Sequence, residues 1–104
     1  MTDVEDKTAV LLRALWVRNR PIVEERLATL DRGAAAVTAG ELSEELRQET
    51  LNTAHKLAGA LGMYGYHEGT RIARELEDLL GEASPDAARL GALIAVLRAS
   101  IFPA

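Results

Sequence analysis

The chain has 104 residues, a length that holds one domain with one hydrophobic core. Apolar residues make up 48% of it and charged residues 27%, which is typical of a globular chain and excludes a disordered one. The absence of cysteine excludes disulfides, thiolate nucleophiles and thiolate metal sites, and the net charge of −4 argues against a nucleic-acid partner.

Helix-forming residues dominate this composition. Aromatic residues reach only 4%, and no segment alternates between apolar and polar residues as a strand would, so the predicted fold class is all-α. The longest uncharged apolar run, 90–97, is far shorter than the ~20 residues that span a bilayer. The acidic N-terminus does not resemble a signal peptide. We therefore expect a cytoplasmic protein with no membrane partner.

The N-terminal third carries two apolar stripes that meet at Pro21. The first ends at Trp16 and the second begins at Val23. Proline removes a backbone hydrogen bond and disfavours a helical residue before it, so a break near Asn19–Arg20 is predicted. A single kinked helix is the alternative; it would be about 55 Å long, so its first half would overhang its neighbours. The two predicted helices span residues 3–19 and 21–39.

Three further helices follow, each with apolar residues spaced three and four apart. Ser84 is the predicted N-cap of the last one, and Gly81 is expected to adopt a left-handed conformation after the one before it. Short turns between one-sided helices predict an antiparallel up-down-up-down four-helix bundle with an additional N-terminal helical segment. Trp16 would anchor that segment to one end of the bundle. The three predicted ranges are 41–61, 66–80 and 85–101.

His55 stands about 100° from the centre of the apolar stripe on the 41–61 helix, on a polar face. The same face holds Gln48, Asn52, Gly59 and Gly62. Glycine inside a helix costs about 1 kcal/mol relative to alanine, so two of them near a histidine indicate that open space beside His55 matters. An ordinary surface histidine beside glycines that belong to a turn at 62–65 is the alternative interpretation.

Other motifs for chemistry are incomplete. His67 begins a segment like the zinc motif H-E-x-x-H, but Arg71 stands where the second histidine must be. Neither histidine follows a glutamate at the spacing of di-iron bundles, so no metal site is predicted.

Several polar residues near the 62–65 turn remain candidates for contacts. Tyr64 and Tyr66 flank the turn and either pack against the end of the bundle or line a docking surface. Arg74 can pair with Asp78, four residues further along the same helix, because side chains at that spacing are neighbours. Otherwise its guanidinium would be solvated.

The segment 54–65, AHKLAGALGMYG, and the segment 71–77, RIARELE, together resemble the signature of histidine-containing phosphotransfer (HPt) domains. In that family a bundle-helix histidine is followed by leucine two residues later, by glycine four residues later, and by a second glycine about six residues beyond that. The next helix ends in Leu-Glu. The residues at these places are Leu57, Gly59, Gly65 and Leu76-Glu77.

The resemblance implies that His55 accepts a phosphoryl group on Nε2 from the aspartyl phosphate of a receiver domain and passes it to another receiver in two-component signalling. The protein would then be a carrier without kinase or phosphatase machinery, and not an enzyme. It would need no cofactor of its own, since the receiver supplies the aspartate, Mg²⁺ and a lysine. The implied partners are response-regulator receiver domains and a hybrid histidine kinase. A monomer fits the transient interface of such a shuttle.

One departure from the family pattern concerns charge. Many members carry lysine three residues after the histidine, where this chain has Ala58. Lys56 projects about 100° from His55, and it either partly replaces the missing charge or is merely solvated.

The residues expected to serve the phosphate or the docking face follow from the resemblance and the helical projection. Gly59 and Gly62 would let a partner approach, and Gln48 and Asn52 could hold a ring tautomer or a water. With Lys56 these form the expected supporting set. Candidate partner contacts are Tyr64, Tyr66 and His67, the last also a minor candidate for a second phosphoacceptor.

Two rival functions remain open. A helical adaptor of the same shape would bind its partner through the face around Gln48, Asn52 and Gly59 and would never be phosphorylated. A carboxylate–histidine metalloenzyme is the more distant alternative.

Overall fold

The computed structural model describes residues 3–102, and within that range the chain forms four helices and no strand. Helix α1 packs on α2 and α4, and α3 packs on the same two helices, so the four close into a bundle. Short turns between consecutive helices reverse the chain direction each time. The predicted all-α four-helix bundle is confirmed. The helices are α1 (Asp3–Ala39), α2 (Glu44–Met63), α3 (His67–Leu80) and α4 (Ala87–Ile101).

The core of the bundle consists of aliphatic side chains spaced three and four apart on each helix, as an inward-facing stripe requires. All four helices contribute. The buried apolar residues are Val23, Leu27, Leu30, Ala54, Leu57, Ala58, Leu61, Ile72, Ala73, Leu76, Leu79, Leu80, Leu90, Ile94, Leu97 and Ile101.

Helix α1 continues through Pro21, so the predicted break near Asn19–Arg20 and the separate helices 3–19 and 21–39 are wrong. Pro21 is exposed, and its ring therefore meets water instead of a neighbouring helix. The backbone still loses the hydrogen bond that a proline nitrogen cannot donate. Trp16 and Val23 are seven residues apart and lie on the same face, so one continuous stripe packs against the bundle and offsets that loss. The additional N-terminal segment is thus the first half of α1.

The first half of α1 extends beyond the bundle, as expected for an unbroken helix. The molecule measures 53 × 24 × 19 Å, and its long dimension matches the ~55 Å of a 37-residue helix. Val10, Leu11 and Val17 on this overhang are exposed apolar residues. No helix within residues 3–102 combines the length and the apolar character that a membrane crossing requires.

Helices α2, α3 and α4 begin three, one and two residues later than predicted, and side-chain caps fix the starts of α2 and α4. Helix α2 starts after Ser43, whose hydroxyl accepts a hydrogen bond from the Leu46 N–H at 3.1 Å. Helix α4 starts after Asp86, whose carboxylate accepts from the Arg89 N–H at 3.0 Å. The predicted N-cap Ser84 is therefore wrong. A carboxylate is the better cap here because it is charged and sits at the positive end of the helix dipole.

Left-handed backbone among the described residues occurs at two glycines that reverse the chain. Gly40 has φ 70° after α1, and Gly65 has φ 84° in the turn between α2 and α3. The expectation of a left-handed Gly81 is wrong, since its φ is −77°. Its N–H donates to the carbonyl oxygens of Glu77 and Asp78, so the last turn of α3 tightens without a reversal of handedness.

Helices α1 and α2 contact each other through a glycine that the sequence analysis did not single out. A Cβ on Gly33 would lie 2.6 Å from Thr50 Oγ1 and 2.7 Å from Thr50 Cγ2. Thr50 is fully buried, and its hydroxyl donates to the Leu46 carbonyl at 2.7 Å. This contact leaves no room for a side chain at residue 33.

An aromatic cluster holds α1 to the end of the bundle that carries the α2–α3 turn. The ring centroid of Trp16 lies 5.4 Å from that of Tyr64, 4.9 Å from that of Tyr66 and 5.9 Å from that of Phe102. The side-chain amide of Asn19 donates to the Tyr64 hydroxyl at 2.9 Å. The predicted anchoring role of Trp16 is confirmed.

Candidate functional site

His55 lies in the middle of α2 with its side chain 74% exposed. Its neighbours Ala54 and Leu57 are fully buried in the bundle. The inner face therefore fixes the helix while the imidazole projects outward. A ring packed in the core would have excluded the phosphoacceptor hypothesis, and the structure places it at the surface.

The His55 ring is oriented by a carboxylate from the adjacent helix. Its Nδ1 lies 2.9 Å from Oε2 of Glu77 on α3. A carboxylate can only accept hydrogen bonds, so in the neutral ring Nδ1 carries the hydrogen atom and donates a hydrogen bond to Glu77. The other nitrogen, Nε2, then holds the lone pair. The contact thus selects the tautomer in which Nε2 is the nucleophile.

A shallow depression lies beside the ring, between α2 and α3. His55, Ala58 and Gly59 line it from α2, and Arg74, Glu77 and Asp78 line it from α3. A Cβ on Gly59 would meet no described atom within 4 Å. The open space predicted beside His55 is therefore present.

Gln48 and Asn52 form no hydrogen bond with the imidazole, so the ring tautomer is held by Glu77 instead of by these amides. Gln48 Nε2 donates to Glu44 Oε1 at 3.5 Å. Asn52 is exposed and its side chain has no hydrogen bond to the described residues. Helix α3 packs alongside α2, and its Glu77 Oε2 lies 2.9 Å from His55 Nδ1.

Two further residues of the predicted supporting set lie outside the depression. Lys56 is exposed and forms no ion pair with any side chain of residues 7–102. A Cβ on Gly62 would lie 3.3 Å from Thr70 Oγ1, and the Thr70 hydroxyl donates to the Ala58 carbonyl at 3.0 Å. The missing side chain at Gly62 therefore makes room for α3 of the same chain.

The candidate partner contacts near the turn divide into two groups. Tyr64 and Tyr66 pack against Trp16, so they belong to the end of the bundle. His67 is the first residue of α3, is exposed, and has no side-chain partner among the described residues. It does not line the depression beside His55.

The charges around the depression are unevenly paired. Arg71 forms ion pairs with Glu68 and Glu75, and its hydrogen bonds to Glu68 lower the pKa of that carboxyl below its usual value. Arg74, one turn further along α3, forms no ion pair within the described part of the chain. The Arg74–Asp78 pair suggested by their spacing is therefore absent, and Arg74 faces the depression as a free cation.

The combination of these groups defines the chemistry that the site can perform. It offers a nucleophilic nitrogen on His55, a carboxylate on Glu77 that orients it, and the guanidinium of Arg74. Among the side chains that the structure describes, no three of histidine, aspartate or glutamate converge as a metal site would require. The arrangement suits an electrophile that arrives from outside and carries negative charge.

Glu77 is the principal site residue to which the sequence pattern assigned no role, although it belongs to the Leu76-Glu77 pair of the motif. A signal for it exists in the topology. Residues at similar distances from a tight turn face each other across two antiparallel helices. His55 and Glu77 lie at similar distances on either side of the turn at Tyr64–Gly65.

Comparisons with known proteins agree with this geometry. Residues 20–101 match the family model described as Hpt domain. The chain is 29% identical over 80 residues to Protein RcaC of Microchaete diplosiphon, an alignment that covers 77% of this chain and 12% of that protein. The chain thus spans a small part of the length of this relative. No solved structure matches the chain at a significant level.

Proposed function

The chain belongs to the Hpt domain family, whose members act in two-component phosphorelay, and on that premise we propose that His55 is its phosphoacceptor. It receives the phosphoryl group from the aspartyl phosphate of one receiver domain and passes it to the aspartate of another. The observation that carries the proposal is the exposed imidazole whose Nδ1 lies 2.9 Å from Glu77 Oε2.

The transfer step follows from that tautomer. The lone pair of His55 Nε2 forms the N–P bond, and the P–O bond to the receiver aspartate breaks, with its electron pair remaining on the aspartate oxygen. The ring keeps its Nδ1 proton and becomes positively charged, and the Glu77 carboxylate stabilises that charge. The back reaction delivers the phosphoryl group to a second aspartate by the same path. Positioning and charge neutralisation account for most of the rate in such transfers.

A carrier of this kind needs no kinase or phosphatase machinery of its own. On this proposal the receiver supplies the aspartate, Mg²⁺ and a lysine, and the bundle supplies a rigid support for the imidazole. Gly59 leaves the space through which receiver loops approach. The exposed side chains of Gln48, Asn52 and Lys56 lie on α2 outside the depression and would form the polar border of the docking face.

The partners proposed are response-regulator receiver domains and a hybrid histidine kinase. A monomeric carrier with a small transient interface suits this role, because both docking and release must be fast. A cytoplasmic location is part of the same proposal.

Labelling by a phosphorylated receiver tests the proposal. The protein is mixed with a ³²P-labelled receiver and Mg²⁺, and we expect an acid-labile, alkali-stable label on the wild type. His55→Gln should take up no label, whereas His67→Gln, the matched exposed histidine, should be labelled like the wild type. Labelling of His55→Gln would exclude His55 as the acceptor. Normal activity of an unlabelled protein in a signalling assay would favour the adaptor alternative.

A further inference from the structure

We infer that Arg74 contacts and neutralises the phosphoryl group on His55, and that it supplies from α3 the positive charge that α2 lacks. The inference rests on the proposed function of His55. It concerns the residue that holds the phosphoryl group, while the identity of the acceptor is a separate question.

Residue 58 provides no charge to the site. Many family members have lysine there, but Ala58 is small and only 5% exposed. Ala58 lines the depression from α2, and its carbonyl accepts a hydrogen bond from Thr70 of α3. The position therefore contributes no charge and leaves the space in front of it to the neighbouring helix.

Arg74 lies on α3 beside the depression that contains His55. It precedes Glu77 by three residues, so both side chains lie on the same face of α3. Glu77 reaches His55 Nδ1, and Arg74 lines the same depression together with His55 and Gly59. The planar guanidinium matches the oxygens of a phosphoryl group with two parallel donors.

The guanidinium of Arg74 is available to bind an anion. Arg74 forms no ion pair with the described side chains, those of residues 7–102, although Asp78 lines the same depression. Arg71, one turn away, is held by two glutamates. An arginine that leaves a neighbouring carboxylate unpaired can bind an incoming anion without breaking an existing contact.

Negative charge accumulates in the depression when His55 is phosphorylated. A phosphoryl group on Nε2 carries close to −2 charge, of which the positively charged ring offsets only one, beside the carboxylates of Glu77 and Asp78, so a nearby cation limits the repulsion. Lys56 is exposed and does not line the depression, whereas Arg74 does. Arg74 is thus the cation best placed for this role.

The test uses two phosphodonors and three variants of the full chain. His55 is phosphorylated chemically with phosphoramidate, and the phosphoryl signal is titrated by ³¹P NMR. The initial rate of labelling by a phosphorylated receiver is measured separately. The variants are Arg74→Gln, Arg74→Lys and Arg13→Gln, the last being an exposed arginine on the α1 overhang that matches the charge change.

We expect Arg74→Gln to slow receiver-dependent labelling about ten- to a hundredfold, the value of a charge-assisted contact. Its phosphoryl group should also titrate at a higher pH, by up to about one unit, because a nearby guanidinium favours the dianion. Arg74→Lys should restore most of the titration shift, and Arg13→Gln should behave as the wild type. If Arg74 had only a structural role, its replacement would not change the pH at which the phosphoryl group titrates.

The failures of the two proposals give different results. Wild-type labelling with identical rates and identical ³¹P titrations for Arg74→Gln and Arg13→Gln would overturn the role of Arg74 and leave His55 as the acceptor. A wild-type protein that takes no label from any phosphorylated receiver would overturn the proposed function, and the role of Arg74 with it.

Discussion

The two faces of helix α2 are filled in opposite ways. On the inner face Ala54, Leu57 and Thr50 are fully buried, and Thr50 presses against the bare backbone of Gly33. On the outer face His55 stands beside Gly59, where an added methyl group would meet no described atom within 4 Å. A glycine lies at each face. Gly33 of α1 allows close packing against the inner face, and Gly59 of α2 leaves open space at the outer face.

The difference shows how the inner face serves the outer one. Close-packed interiors resist displacement, so an imidazole attached to a helix that is locked on its other side stays in one place. Glu77 then needs only a single hydrogen bond to fix the ring. Changes to the inner face should therefore alter stability, and changes to the outer face should alter transfer.

The largest effect is expected from Leu57→Ala on the inner face. Leu57 is fully buried, and removal of such a side chain costs about 2–5 kcal/mol through lost burial and the cavity left behind. Urea denaturation followed by circular dichroism measures the loss. Protein that is still folded at low temperature should accept phosphate at nearly the wild-type rate. A large loss of rate in the folded fraction would contradict the division between the faces.

Gly33→Ala should also destabilise the fold, by about 1–3 kcal/mol. The new Cβ would overlap Thr50, which is buried and hydrogen-bonded and therefore cannot move aside easily. Gly91→Ala in α4 is the matched control, because a Cβ there meets no described atom within 4 Å. The control should gain up to about 1 kcal/mol from helix propensity. Equal stabilities of the two variants would show that the Gly33 contact is looser than described.

Glu77→Ala should reduce the rate of phosphoryl transfer about ten- to a hundredfold with little change in stability. The variant loses a charge-assisted hydrogen bond to Nδ1, and with it the preferred tautomer. ¹⁵N NMR of the histidine rings measures that tautomer directly. His55 should change from the Nδ1–H form towards the tautomer mixture of His67, which has no partner among the described residues.

Two variants separate the functions of this carboxylate. Glu77→Gln keeps an acceptor oxygen for Nδ1–H but removes the charge that stabilises the phosphorylated ring, so an intermediate rate is expected. Glu82→Gln, an exposed glutamate after the end of α3, should leave both the rate and the tautomer unchanged. A Glu77→Ala variant with the wild-type tautomer ratio would contradict the assignment.

The smallest effect on stability is expected at Gly59. Gly59→Ala should stabilise the helix by up to about 1 kcal/mol and allow transfer, because the methyl group enters open space. Gly59→Trp should fold as well but block a receiver from reaching His55, which a binding assay with a receiver domain would measure. Normal receiver binding by the tryptophan variant would place the docking surface elsewhere.

The fold was predictable where local pattern and packing agree. The apolar stripes of α2, α3 and α4 correctly identified the buried face of each helix, because periodicity reports directly which side is buried. Pro21 misled the prediction, since its local cost is one hydrogen bond whereas the gain from a continuous stripe depends on the whole bundle. Asp86 and Ser84 are both good cap residues, and the helix begins after Asp86, whose charge also suits the positive end of the helix dipole.

In the candidate site, too, some residues follow from a local pattern and others depend on long-range packing. His55 and the space beside Gly59 follow from a helical projection of one segment, which needs no knowledge of the neighbours. Glu77 and Arg74 reach the depression only because α3 has a particular rotation and height against α2. That arrangement depends on long-range packing, including the Thr70–Ala58 contact, which no pattern within α2 or α3 contains.

The single tryptophan of the chain provides an optical reporter at a useful place. Trp16 joins the overhanging half of α1 to Tyr64, Tyr66 and Phe102 at the end of the bundle. Its fluorescence therefore responds to detachment of the N-terminal half of α1, while far-ultraviolet ellipticity responds to loss of helix throughout the molecule. Denaturation curves that coincide for both signals indicate that α1 separates only when the bundle unfolds. An earlier fluorescence transition reveals an independent hinge.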